Sequence, residues 1–313
     1  MRLRATRYIV LMLALLCLFF STTGSFSTTA FAADTANLEF QKDVQYGTGG
    51  GEPLLLDMAR PVGLEEPAPG LLLIHGGGWM GGDKRTYLAL LEQCAERGYV
   101  AVAVAYRFAP KHRFPAQIED VKCATRWMRA HAKELGLDAD HLGAMGHSAG
   151  AHLAMILGTM DSGDGLEGTG GWADQSSKVQ AVVSYFGPVN LAIPEDKIEE
   201  LAGGDVFNVA AVRHILDAAV GKPSRDRLEE LRQCSPLTYV NQGDAPMLLF
   251  QGTKDVLVPY DQAFWMAGAL TKANVSGRVE LIFGEGHGFS KPENERTLRM
   301  AFEFFDEKLK QAK

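Results

Sequence analysis

The chain has 313 residues, 46% hydrophobic and 22% charged, with 38 acidic against 31 basic side chains. Such proportions belong to a globular chain with apolar material for a large core, at a length that suits one α/β unit. The acidic balance and the lack of any basic run argue against nucleic acid or an anionic membrane surface as partners.

The first segment reads as an export signal. Arg2, Arg4 and Arg7 give a positive start, Tyr8 to Phe20 is an unbroken apolar run, and Ala30-Phe31-Ala32 supplies a small-x-small cleavage site. The run falls short of the roughly 20 residues that a membrane span needs. Residues 1–32 are therefore expected to be removed on export to the periplasm or the exterior, leaving 33–313 as the folded domain, with no membrane partner. Cleavage takes three arginines and no acid, so 28 basic side chains face 38 acidic ones. Cys94, Cys123 and Cys234 stay behind. Three is an odd number, so at least one thiol is unpaired, and one disulfide between the other two is left open. Their spacing offers no CxxC and no His/Cys cluster, so no zinc site is expected.

Two β-like segments follow, near Leu38–Tyr46 and Pro53–Ala59, then a Pro/Gly-rich turn from Pro61 to Gly70. From there short apolar runs alternate with helical patterns. The runs are Leu71–His75, Tyr99–Tyr106, Leu142–Gly146, Val179–Tyr185, Pro246–Gln251 and Arg278–Phe283. Each is nearly continuous in its hydrophobicity, as a parallel strand covered on both faces should be. Helical periodicity fills the intervals at Lys84–Arg97, Gln117–Lys133, Ser148–Met160, Tyr260–Leu270 and Glu293–Leu309. This alternation predicts a doubly wound α/β sheet. Only 191–236 breaks the rhythm, with helical stretches at Lys197–Leu201, Val209–Val220 and Arg225–Gln233 and no strand. It is expected to be a small helical cap inserted over the carboxyl edge of the sheet, where such folds bind ligands.

The chemistry concentrates at strand ends. Gly146-His147-Ser148-Ala149-Gly150 lies between an apolar run and an apolar helix. A GxSxG there forces a sharp strand-to-helix turn and exposes a serine hydroxyl as nucleophile. His75-Gly76-Gly77-Gly78-Trp79 closes another run, and its three glycines free the backbone to aim N–H groups at a developing oxyanion. Gly77, Gly78 and Ala149 are the expected donors. Asp255 follows the Pro246–Gln251 run and His287 follows Arg278–Phe283, so acid and base come in the chain order that this motif requires. Glu285 is the fallback acid. The expected mechanism is acyl transfer through an acyl-enzyme, with Ser148 as nucleophile, His287 as base and Asp255 orienting the base, and with no metal or organic cofactor. Trp79, Tyr185 and Phe186 also follow strand ends. They are candidates for lining the acyl or alcohol pocket, ordinary core being the alternative.

These residues resemble the α/β-hydrolase esterases and lipases related to hormone-sensitive lipase. The stretch Tyr106-Arg107-Phe108-Ala109-Pro110, then Phe114-Pro115-Ala116 and Asp120, is similar to a pattern of that family, as are Gly187-Pro188 and Ser235-Pro236. The resemblance implies an α/β-hydrolase fold and a serine esterase acting on a small or oligosaccharide ester. One position departs: the elbow reads GHSAG where the hormone-sensitive-lipase type reads GDSAG. With His152 four residues on, the elbow looks more like the branch of small carbohydrate-ester esterases, feruloyl-esterase-like proteins and kynurenine-formamidase-like enzymes. Acetyl or feruloyl esters of carbohydrates are the implied substrates. An amidase, formamidase or peptidase with the same triad, and a non-catalytic binding protein, are the competing functions. Arg107 and Asp120 are candidates for a buried pair beside the site, and His152 for packing rather than catalysis.

Overall fold

The computed structural model describes residues 38–194, 197, 208–221 and 223–310. The expected signal segment and most of Lys197–Leu201 lie outside the described residues. Eight strands form one sheet in the order β1-β2-β4-β3-β5-β6-β7-β8. They are β1 (Leu38–Gly49), β2 (Glu52–Pro61), β3 (Ala68–Ile74), β4 (Val100–Val104), β5 (Leu137–His147), β6 (Ala181–Tyr185), β7 (Met247–Gly252) and β8 (Gly277–Ile282). β1 and β2 pair antiparallel, as do β2 and β4, and every other pairing is parallel. The six predicted runs are the six parallel-paired strands, and the two opening segments are the antiparallel edge.

Alternation along each strand feeds two cores. Leu72, Val102 and Val182 face one side, while Leu71, Leu73, Ala101 and Val183 face the other. Helices α1 (Leu88–Glu96), α2 (Ala116–Ala130), α3 (Ala149–Thr159), α4 (Val209–Val220), α5 (Leu228–Gln233), α6 (Asp261–Lys272) and α7 (Lys291–Leu309) cover them. α2, α3 and α6 pack on the first face, α1 and α7 on the second. Every residue of α3 is buried, which explains why its sequence is apolar all round rather than on one stripe.

Strand order reverses at β3. The chain passes from β3 to β4 on one side and then returns to β5 on the other. Ile74 pairs with Gly146 across that junction. The glycine-rich loop after β3 and the serine after β5 therefore open onto one crevice, at the switch point where open α/β sheets bind ligands.

The described part of the insertion carries α4 and α5, with short 3₁₀ turns at Ser224–Asp226 between them and at Pro236–Tyr239 after them. It packs on the first core through Leu216, Ala219, Val220 and Leu231 and is also tied by separated backbone bonds. Asn208 N–H donates to the Val256 carbonyl at 2.8 Å, Phe114 N–H to Ala219 at 2.9 Å and Leu237 N–H to Val189 at 3.1 Å. Among the described residues no helix is long and apolar enough to cross a membrane. Cys94, Cys123 and Cys234 are all free and buried, so the disulfide left open above does not form. Burial pushes their thiols up, to about 12, 11 and 12.

Candidate active site

β5 runs into α3 with a single residue, Ser148, at the corner. Its backbone sits at φ 54°, ψ −120°, a conformation that costs a non-glycine residue free energy and persists only where the surroundings fix it. The surroundings are close. A Cβ on Gly150 would stand 2.0 Å from the Ile74 carbonyl, so only glycine lets α3 start against the end of β3. Ser148 N–H is held at 2.9 Å by the Tyr185 carbonyl of the neighbouring strand. The hydroxyl is thereby turned up into the crevice.

His287 reaches it from the loop after β8. Its Nε2 lies 2.8 Å from Ser148 Oγ, and its Nδ1 lies 2.8 Å from Asp255 Oδ2. The Asp255 carboxylate is saturated. Oδ1 accepts from Leu257 N–H at 2.8 Å and Val258 N–H at 2.9 Å, and Oδ2 also accepts from Gln251 Nε2 at 3.0 Å. Those donors hold the carboxylate, and the carboxylate in turn fixes the imidazole. The acid-bearing and base-bearing loops are joined along their backbones: Lys254 N–H donates to Glu285 at 2.8 Å, and Gly284 N–H to Thr253 Oγ1 at 3.0 Å. Glu285, the fallback acid, turns its own carboxylate to Ser290 N–H at 2.9 Å and takes no part.

The loop after β3 supplies the third component. Gly77 and Gly78 have φ of 117° and 61°, and a Cβ on Gly77 would stand 2.1 Å from the Gly81 carbonyl. Among the described residues, the N–H groups of Gly77, Gly78 and Ala149 have no hydrogen-bond acceptor. The loop is held from behind. Tyr106 Oη donates to the His75 carbonyl at 3.0 Å, and the His75 ring stacks on Tyr106 with centroids 4.4 Å apart. Ala109 N–H donates to the Trp79 carbonyl at 2.9 Å. Behind Ala109 stands the expected pair: Arg107 Nη2 meets Asp120 Oδ1 at 2.7 Å, with Asp120 almost fully buried. Burial pushes the Asp120 carboxyl up, against the bonds from Arg107 that favour its charge.

The three candidate pocket residues separate. Phe186 lies with its ring centroid 4.8 Å from that of His287, at the site. Tyr185 shares the core on the α1/α7 side with Phe186, its ring stacked 4.5 Å from His147 and 4.8 Å from Phe250. Trp79 is 2% exposed and packs edge-on against Phe114 and His152. His152 serves packing and attachment: its Nε2 is 2.6 Å from the Cys234 carbonyl, so it fastens α3 to the insertion. Burial holds its ring neutral, with a pKa lowered to about 4. A separate hollow of about 260 Å³ lies between Arg113–Pro115 and the insertion, and none of Ser148, Asp255 or His287 lines it.

Two functional contacts escaped the sequence. Gln251 holds Asp255, and the available signal was a polar residue closing an apolar strand. Tyr87 meets His147 Nδ1 at 2.6 Å across 60 positions, for which no local signal exists.

A family model described as BD-FAE matches residues 56–270. The chain belongs to the BD-FAE family. The BD-FAE match takes in the glycine loop, Ser148 and Asp255, while His287 lies beyond its end. Esterase LipC of Mycobacterium tuberculosis is 32% identical over 248 residues, covering 78% of this chain and 59% of LipC. This BD-FAE chain spans 49% to 59% of the length of three curated mycobacterial esterases that it matches. Among solved structures, the butyrate-bound Est2 esterase of Thermogutta terrifontis aligns with a TM-score of 0.70 at 27% identity, over 90% of this chain and 98% of that one. A truncated carbohydrate esterase from gut microbiota gives a TM-score of 0.73 at 22% identity, over 89% and 99%, and so shares the α/β-hydrolase fold.

Proposed function

We propose that the protein is a serine carboxylic ester hydrolase that works through an acyl-enzyme. Neutral His287 takes the Ser148 proton as Oγ attacks the ester carbonyl. Asp255 holds the imidazole in the required tautomer and stabilises the imidazolium. The N–H groups of Gly77, Gly78 and Ala149 receive the oxyanion, in a site where preorganised donors act most strongly. His287 then protonates the leaving alcohol, and water repeats the cycle on the acyl-serine. The observation that carries this reading is the pair of 2.8 Å contacts linking Asp255, His287 and Ser148 beside three N–H groups without acceptors.

The substrates proposed are short-chain acyl esters, with acetyl or feruloyl carbohydrate esters among them. Butyrate bound to Est2 and the fold shared with a carbohydrate esterase support that range. Export through removal of residues 1–32 belongs to the same proposal and fits a substrate met outside the cytoplasm.

The test is hydrolysis of p-nitrophenyl esters from acetate to decanoate by the 33–313 chain and by Ser148→Ala. The expected result is activity peaking at acetate or butyrate and abolished in a folded variant. Full activity in Ser148→Ala overturns the mechanism, and a peak at decanoate overturns the short-chain assignment.

A further inference from the structure

The residue before the nucleophile is where the sequence departs from the related GDSAG pattern, and the mechanism above leaves it unused. His147 is the last residue of β5 and pairs with Tyr185 of β6. Its ring is held on several sides. It stacks on Tyr185 with centroids 4.5 Å apart and planes at 21°, and lies 5.7 Å from the rings of both Tyr87 and Phe186. Its Nδ1 meets Tyr87 Oη at 2.6 Å, and Tyr87 also reaches the Ile74 carbonyl at 3.1 Å.

Nε2 is different. Among the described residues it has no hydrogen-bond partner, yet it is absent from the buried polar atoms that lack one. On this half-buried residue it therefore keeps some exposure, while the ring is packed by Tyr87, Tyr185 and Phe186. Burial, and then the neighbouring His287, push the ring's pKa down to about 4, so the imidazole is neutral at ordinary pH and carries one proton. With Nδ1 committed to Tyr87, Nε2 is left as one fixed donor or one fixed acceptor, according to which way the Tyr87 proton points.

The neighbours of the ring indicate what this nitrogen can meet. Phe186 bridges the two histidines, 5.7 Å from His147 and 4.8 Å from His287. In the reading given above, His287 must deliver its proton to the leaving oxygen, so the alcohol half of the ester lies on the His287 side of Ser148. We propose that His147 Nε2 hydrogen-bonds a hydroxyl of that alcohol half, so that the site selects esters of polyols and sugars over esters of plain alkanols. A hydroxyl both donates and accepts, so it satisfies Nε2 in either tautomer, whereas an alkyl chain satisfies neither and leaves the nitrogen desolvated. The held ring makes the contact at little further entropic cost.

This inference rests on Ser148 and His287 acting as proposed, and the experiment separates the two. kcat/KM is measured for glycerol 1-monobutyrate and for propyl butyrate, which share an acyl group and a chain length and differ in hydroxyls. The enzymes are the wild type, His147→Phe, His147→Ala and His147→Gln. The ratio of the two kcat/KM values is expected to fall roughly three- to ten-fold in His147→Phe and His147→Ala, the range of one net hydrogen bond, and to recover in part in His147→Gln. An unchanged ratio in the active variants overturns the inference while leaving the ester hydrolase in place. Loss of both activities in all three variants also overturns it, since the ring would then be a general requirement of the turn rather than a reader of the alcohol. A wild type that cleaves neither ester refutes the reading of Ser148 on which the inference stands.

Discussion

The ends of β3, β5, β7 and β8 and the described part of the insertion meet at Gly78 and Ile215 and at Val256 and Asn208, and they are built differently. At the strand ends each group of the proposed site is fixed by a short hydrogen bond: Ser148 by the Tyr185 carbonyl of the next strand, Asp255 by Leu257 and Val258 N–H, the glycine loop by Tyr106 and Ala109. The described insertion is α4, the short α5 and 3₁₀ turns, packed on the core through Leu216, Ala219 and Leu231 and tied by separated bonds such as Asn208 to Val256 and His152 to Cys234. The first region holds the groups of the proposed acyl transfer, whose rate depends on close positioning. The second brings the Ile215 side chain up to the glycine loop. Under that proposal reactivity should be sensitive to changes at the strand ends, and acyl-chain selectivity to changes in the insertion.

That division can be broken by mutation, and the largest effect should come from the strand ends. Asp255→Asn keeps the shape of the side chain but favours the wrong imidazole tautomer, and kcat should fall by up to ~10⁴-fold in a folded protein. A near-normal rate would remove Asp255 from the relay and return attention to Glu285. Next comes the support behind the glycine loop. Asp120→Ala removes the buried partner of Arg107 and leaves it Glu119 and the Ala116 carbonyl, and urea unfolding should show a loss of about 3 kcal/mol, the low end of the range for breaking one side of a buried pair. A loss below about 1 kcal/mol would mean that solvent already screens the pair. The smallest effect sharpens the role of the insertion. The Ile215 side chain of α4 lies so close to Gly78 that a Cβ there would stand 3.4 Å from its Cγ2. Ile215→Ala should leave the glycine loop in place and raise the octanoate-to-acetate ratio of kcat/KM by about ten-fold, in keeping with about 1–3 kcal/mol per methylene in an apolar pocket. A drop in acetate turnover equal to that on octanoate would show the insertion to be part of the catalytic frame after all.

The sequence made one of these regions far more readable than the other. Parallel strands buried on both faces write themselves as short apolar runs, and the reactive residues sit one turn beyond them among glycines, so Ser148, Asp255 and His287 could be picked out by position alone. What stayed hidden depends on distance along the chain. Tyr87 and His147 are 60 positions apart and His152 and Cys234 are 82 apart, and neither contact has a local signature. Tyr185 and Phe186 show the other obstacle. They are consecutive, both aromatic and both in the core on the α1/α7 side, yet Tyr185 ends β6 beside Phe250 while Phe186, past the strand end at φ 44°, brings its ring to 4.8 Å from that of His287. The turn after the strand decides which ring meets the site, and the local sequence carries no signal for it.

The three thiols give the molecule a property of practical use. Each is sealed in the interior, and burial holds it protonated far above neutral pH, so a thiol-directed reagent finds no ready nucleophile among the described residues. Labelling of these three proceeds through openings that expose Cys94 on α1, Cys123 on α2 or Cys234 at the end of α5. The three positions sample different parts of the fold, so the order in which they are modified would rank those parts by how readily they open. Cys234 should be modified first if the insertion loosens ahead of the sheet.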